Sequence, residues 1–193
     1  MTVADFPVAK STFTPDDLLM LEGGDELFEL VDGKLVEKKM SAASGEVVVM
    51  IVTELQLFLR VSPIARVTTE ATFACFESRP STVRRPDAAV VLSSRIEPKL
   101  WAEGHMTIPP DIAIESLSPG NTVLDVDDKI DDYRSAGVRL VWVLKPERRA
   151  AHVYRLDGSE IPLREDDTLT GENILPGFSV RVGDLFPPKA RPA

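Results

Sequence analysis

Two apolar strand patterns flanking a single helix pattern constrain the fold of this chain more than any other feature. Residues Asp111 to Leu117 read Asp-Ile-Ala-Ile-Glu-Ser-Leu, a short run rich in β-branched side chains. Ser118-Pro119-Gly120 breaks that run, and the sequence predicts a helix from about Thr122 to Ala136, closed by Gly137. An apolar strand, Val138 to Leu144, follows. A strand, helix and strand of these lengths close as a right-handed crossover that sets the two strands parallel. The fold class is therefore α/β, with a mixed central sheet flanked by helices.

The remaining segments fit around that unit. Thr14-Pro15-Asp16-Asp17 is a helix start, with a capping hydroxyl, proline at the first helical position and acids that suit the helix dipole. Gly23-Gly24 is expected to end that helix. Phe28 to Val31 and Lys34 to Glu37, joined by Asp32-Gly33, form a hairpin with a type I′ signal. Ser44 is expected to cap a helix from about Gly45 to Arg60, with Val48, Ile51, Val52, Leu55 and Leu59 as its buried stripe. Strands are expected over Arg66 to Phe76, Pro86 to Leu92 and Ala150 to Arg155, with a charged loop from Ser93 to Met106.

The chain has 193 residues, 44% of them hydrophobic and 27% charged, the composition of an ordinary globular domain. Its longest apolar stretch, Val47 to Val61, is interrupted by Glu54, Gln56 and Arg60, so no membrane span is expected. The N-terminus lacks the basic and apolar regions of a signal peptide, and Cys75 is the single cysteine. A cytoplasmic setting is the expectation. The net charge of −9 argues against a generic nucleic-acid binder. Local basic patches remain available at Arg79, Arg84 and Arg85, and at Arg148 and Arg149.

Two carboxylates stand inside or beside the apolar strands: Asp87 in Arg-Pro-Asp-Ala-Ala-Val-Val-Leu, and Glu115 in Ile-Ala-Ile-Glu-Ser-Leu. A carboxylate there is costly to desolvate unless a cation meets it. Glu115 shares a strand face with Ala113 and Leu117 and emerges near the carboxyl end, where α/β ligand sites lie. On the following helix, Asp125, Lys129 and Tyr133 are spaced by four and fall on one side. Two carboxylates and a backbone carbonyl suit a hard cation such as Mg²⁺ or Mn²⁺, which would activate water beside a phosphate while a lysine stabilises charge. Structural alternatives stand beside this reading. Asp87 could start its strand, Lys129 could pair with Asp125 on a solvated face, and Glu29 alternates with Phe28 and Leu30 as a solvent-facing residue would. Tyr133 and Trp142 read as packing residues, and His105 and His152 as incidental.

Phe28-Glu-Leu-Val-Asp-Gly33, Arg85-Pro-Asp87, Ile114-Glu-Ser-Leu-Ser-Pro119, Asp125-x-x-x-Lys-x-x-x-Tyr133 and Gly137-Val-x-x-x-Trp-Val-x-x-Pro146 occur in one order. That ordered set resembles the Uma-type restriction endonuclease family of the PD-(D/E)XK nuclease superfamily, over about Thr14 to Phe186. The resemblance implies a restriction-endonuclease-like core spanning 14–186, with residues 1–13 a flexible arm and 187–193 a tail. It implies Mg²⁺- or Mn²⁺-dependent hydrolysis of phosphodiester bonds in DNA, with Asp87 and Glu115 as metal ligands and Glu29 and Lys129 completing the catalytic set. A homodimer is implied by analogy, since double-strand cleavage needs two sites. The alternative is a catalytically inactive nuclease-fold module that binds nucleic acid or protein. Two departures stand out. The superfamily lysine position, two residues after Glu115, holds Leu117, so the chemistry depends on Lys129. The start of the long helix lacks the histidine that family members often carry.

Overall fold

The computed structural model describes residues 11–21 and 27–188. Residues 1–10 of the expected arm, residues 189–193 of the expected tail and the Gly23-Gly24 helix stop lie outside the described residues. Helix α1 (Pro15–Met20) starts at Thr14, whose hydroxyl accepts from the Asp17 amide while Asp17 accepts from the Thr14 amide. Strands β1 (Phe28–Val31) and β2 (Lys34–Glu37) form the expected hairpin. Asp32 and Gly33 turn it at φ of 48° and 78°, the left-handed conformations that the mirrored two-residue turn demands.

Helix α2 (Ala42–Val61) begins three residues earlier than the sequence suggested. Ser41 is the cap, and Ser44 is its reciprocal partner inside the first turn, a capping box built from two serines. Val47, Val48, Ile51, Leu55 and Leu59 are buried as a stripe, each contributing on the order of 1.5–3 kcal/mol when removed from water. By length and composition α2 could cross a bilayer, contrary to the expectation from its interrupting charges. In this fold its stripe packs on the sheet instead.

The central sheet runs β3 (Ala65–Thr69), β4 (Ala88–Leu92), β5 (Ile112–Ser116), β6 (Leu140–Lys145), β7 (Ala150–Arg155) and β8 (Glu160–Leu163), each strand hydrogen-bonded to the next. Only β5 and β6 are parallel; the other neighbours are antiparallel. Between β4 and β5 the chain forms α3 (Pro98–Ala102), a short turn of helix begun by its proline inside the charged loop. Between the parallel pair runs α4 (Val123–Ser135), capped reciprocally by Thr122 and Asp125, which is the crossover expected from the sequence. The expected strand from Arg66 to Phe76 stops at Thr69, because Glu70 turns to φ 55° and ends the ladder.

The two sheet faces are covered differently. Ala88, Val90, Ile112, Ile114, Trp142 and Val153 pack under α2 and under the hairpin β9 (Thr168–Gly171) and β10 (Leu175–Arg181), with Trp142 stacked on Phe178. Ala113, Val141 and Val143 face the other way, against Ile130 and Tyr133 of α4. Alternation along β5 therefore sends Glu115 to the α4 side.

Candidate active site

A cavity of about 270 Å³ lies on the α4 side, between the β1–β2 hairpin, the ends of β4 and β5, and α4. Glu29, Lys38, Asp87, Glu115, Lys129 and Tyr133 all line it. The strand register makes the acids meet. Ala88 pairs with Ile114 in the antiparallel β4–β5 ladder, so one residue further along, Asp87 stands opposite Glu115 on the same face. The Ser116 amide locks this arrangement by donating to Asp87 Oδ2 at 2.6 Å. The crossover then lays α4 over the end of β5. Tyr133 donates its hydroxyl proton to Glu115 Oε1 at 2.6 Å, and Lys129 donates to Glu115 Oε2 at 3.1 Å.

Glu29 enters from the hairpin. Phe28 and Leu30 pack on Leu18 and Val83, but Glu29 is also buried, because the opposite face of β1 meets the cavity rather than solvent. Its Oε1 accepts from the Arg85 amide at 2.9 Å and lies 3.0 Å from Lys129 Nζ; its Oε2 lies 3.1 Å from Arg84 Nη1. Lys129 thus bridges Glu29 and Glu115, and the solvated pairing with Asp125 does not form. Asp125 instead closes the helix cap through Thr122.

These partners separate the two glutamates. Burial pushes both carboxyls up. In Glu29 the charges of Lys129 and Arg84 and the Arg85 amide outweigh it and hold the group at about 2, against an ordinary 4.5. In Glu115 burial wins, reinforced by the Asp87 and Glu29 charges against Lys129 and Lys38, and its carboxyl rises. Burial opposes the charge on Lys129, but Glu115, Glu29 and Asp87 keep its ammonium protonated well above its ordinary value. Burial, with the Glu115 charge, also pushes the Tyr133 hydroxyl up, so it stays a donor.

A pH dependence follows from Glu29. Its folded value lies below its unfolded one, so the stability it contributes is full above about pH 4.5 and is lost as pH falls toward about 2. That contribution is on the order of 3 kcal/mol at neutral pH. Urea midpoints measured across this window should fall more steeply with acidification for the wild type than for Glu29→Gln. Parallel slopes would show that Glu29 is not held ionised by its partners.

Asp87 and Glu115 are chemically suited to a hard divalent cation. Each carboxylate has one oxygen fixed by an uncharged donor, Ser116 N–H or Tyr133 OH, and turns the other to an ammonium, Lys38 or Lys129. One oxygen of each acid is thus oriented toward positive charge already. Among the described residues no group of three or more His, Cys, Asp and Glu side chains converges as a ready-made metal cage.

A family model described as Uma2, "Putative restriction endonuclease", matches residues 15–183. The chain belongs to the Uma2 family. A crystal structure described as "a putative nuclease belonging to DUF820" from Anabaena variabilis is similar in fold, with a TM-score of 0.76 at 23% identity, over 90% of this chain and 97% of that one. No curated protein matches the sequence.

In this Uma2 chain Leu117, two residues after Glu115, lines the cavity as a half-buried apolar side chain, and Lys129 delivers the ammonium from the helix. The start of α2, which lacks the histidine, is tied to the end of β5 through Ser44 and Ser118 hydroxyls 2.9 Å apart. The expected basic patch at Arg79, Arg84 and Arg85 is an ion-pair network instead, with Arg79 at its partly exposed edge. Arg84 and Arg85 are buried, Arg84 pairs with Glu29 and Asp132, and Arg79 pairs with Asp32 and Asp132. Asp132 is buried between those guanidiniums, invisible in a run of helical aspartates whose other members are exposed. Tyr133 is more than packing, since it fixes the Glu115 rotamer; its spacing of four from Lys129 was the available signal. Lys38 had none, because Glu37-Lys38-Lys39 reads as a solvated charge run.

Proposed function

We propose that the protein is a metal-dependent endonuclease that hydrolyses phosphodiester bonds in DNA. The observation that carries this reading is that Asp87, Glu115 and Glu29 line one cavity beside the parallel strand pair, where Lys129 bridges Glu29 and Glu115. Asp87 and Glu115 would hold Mg²⁺ or Mn²⁺, which when bound activates water and polarises the scissile phosphate.

The chain's own groups supply the rest. Lys129 stays charged and offers its ammonium to a phosphate oxygen, with little reorganisation because Glu29 and Glu115 already hold it from two sides. Glu29 remains ionised and acts as the anchor of Lys129. Tyr133 and the Ser116 amide fix one oxygen of each carboxylate and so order both acids at the cavity. Lys39 is exposed at the cavity lining and provides positive charge for the nucleic-acid backbone that the buried arginines cannot. A homodimer would supply the second site for a double-strand cut. A cytoplasmic setting fits Cys75, an unpaired thiol that burial pushes up to about 12 and so keeps unreactive.

Nicking of supercoiled plasmid in Mg²⁺ or Mn²⁺ tests the proposal. The wild type should convert plasmid to open-circle and linear forms, and Lys129→Met should be slower by about 10²-fold or more, as expected for losing one preorganised charge contact. Equal rates for the two proteins would remove Lys129 from the mechanism.

A further inference from the structure

Lys38 is a buried side chain at this cavity that the proposed chemistry leaves without a role. It follows β2 directly, and its side chain is only 6% exposed. Its three ammonium protons meet three acceptors: Asp87 Oδ1 at 2.6 Å, the Arg85 carbonyl oxygen at 2.6 Å and Glu70 Oε2 at 3.2 Å. These acceptors differ in kind. The Arg85 carbonyl is fixed backbone, and the Asp87 oxygen belongs to a carboxylate that lines the cavity. Glu70 is partly exposed and also meets Arg85 Nε at 3.1 Å. Its backbone is held at φ 55°, a sterically costly conformation for a non-glycine residue, and from there its carboxylate reaches Lys38.

We infer that Lys38 is a displaceable counter-ion for Asp87, with Glu70 and the Arg85 carbonyl as the berth that retains it when a divalent cation takes the Asp87 oxygen. The inference rests on the reading of Asp87 as a metal ligand. An ammonium and a divalent cation repel when they share one carboxylate oxygen, and a buried position screens that repulsion weakly. Metal binding therefore has to move Lys38 off Asp87, and the pair that is broken subtracts from the affinity. Two of the three acceptors survive the move, so the ammonium is not left bare. Lys38 is in this sense a positioning residue: it keeps Asp87 ordered, and it sets how tightly the site takes metal.

Mn²⁺ titrations followed by calorimetry, with the free ion counted by electron paramagnetic resonance, test this on the intact chain. Lys38→Met should bind Mn²⁺ about tenfold more tightly than the wild type, the scale on which groups next to metal ligands act. Glu70→Gln keeps the ammonium but weakens its berth, so it should bind Mn²⁺ roughly threefold more weakly. It reads the same competition if Lys38→Met does not fold. A merely structural lysine would leave affinity unchanged or lower it in Lys38→Met. That result, with binding still abolished by Asp87→Asn, overturns the role of Lys38 and leaves the metal site standing. Absence of Mn²⁺ binding by wild type and Lys38→Met alike overturns both.

Discussion

Arg84→Met is expected to destabilise the protein by about 3–5 kcal/mol, the cost of leaving a buried charge without its partner. Arg84 is 4% exposed and serves two buried acids at once. Its Nη1 lies 3.1 Å from Glu29, and its Nε and Nη2 lie 2.7 and 2.6 Å from Asp132. Methionine fills a similar volume, so packing changes little and the loss is electrostatic. For a chain of this size the midpoint of thermal unfolding should fall by roughly 6–20 °C. The deficit should shrink on acidification, because a protonated Glu29 needs no counter-ion. A melting curve within a degree or two of wild type at neutral pH would show that Arg79 and Lys129 suffice for these acids.

Glu115→Gln should lower the rate of DNA cleavage by about 10³-fold, or ~4 kcal/mol of transition-state stabilisation. The amide keeps the side chain's shape and can still accept from Tyr133, so folding should be retained. What goes is the negative charge that one Lys129 contact and the proposed metal both require. Removing it also frees Lys129 from one of its two acids. Circular dichroism should match wild type while plasmid nicking falls. Nicking at the wild-type rate would mean that any cleavage arises elsewhere on the protein.

The parts of this fold and site that were legible in the sequence are those set by local periodicity and chain order. The β1–β2 hairpin followed from Asp32-Gly33 to the residue. The parallel β5–β6 pair followed from a capped helix between two apolar runs. The proximity of Asp87 and Glu115 followed from their places at strand ends, and the side of α4 facing them from a spacing of four. What stayed hidden depended on tertiary placement. Lys38, Arg84 and Arg85 look like surface charges because neighbouring residues are charged, and only the folded sheet encloses them. Glu29 was reached only through the family resemblance, since it alternates like a solvent-facing residue and the pattern cannot tell solvent from a polar cavity. The early stop of β3 turns on the left-handed backbone at Glu70, which propensity would not assign to a glutamate.

The central claim is that Asp87 and Glu115 form one divalent-metal site, and Mn²⁺ binding measured by calorimetry tests it without reference to any substrate. The wild type should show a saturable site whose affinity falls by at least about tenfold in Glu115→Gln. Unchanged affinity in Glu115→Gln would contradict the assignment of this carboxylate, and with it the proposed reaction at this cavity.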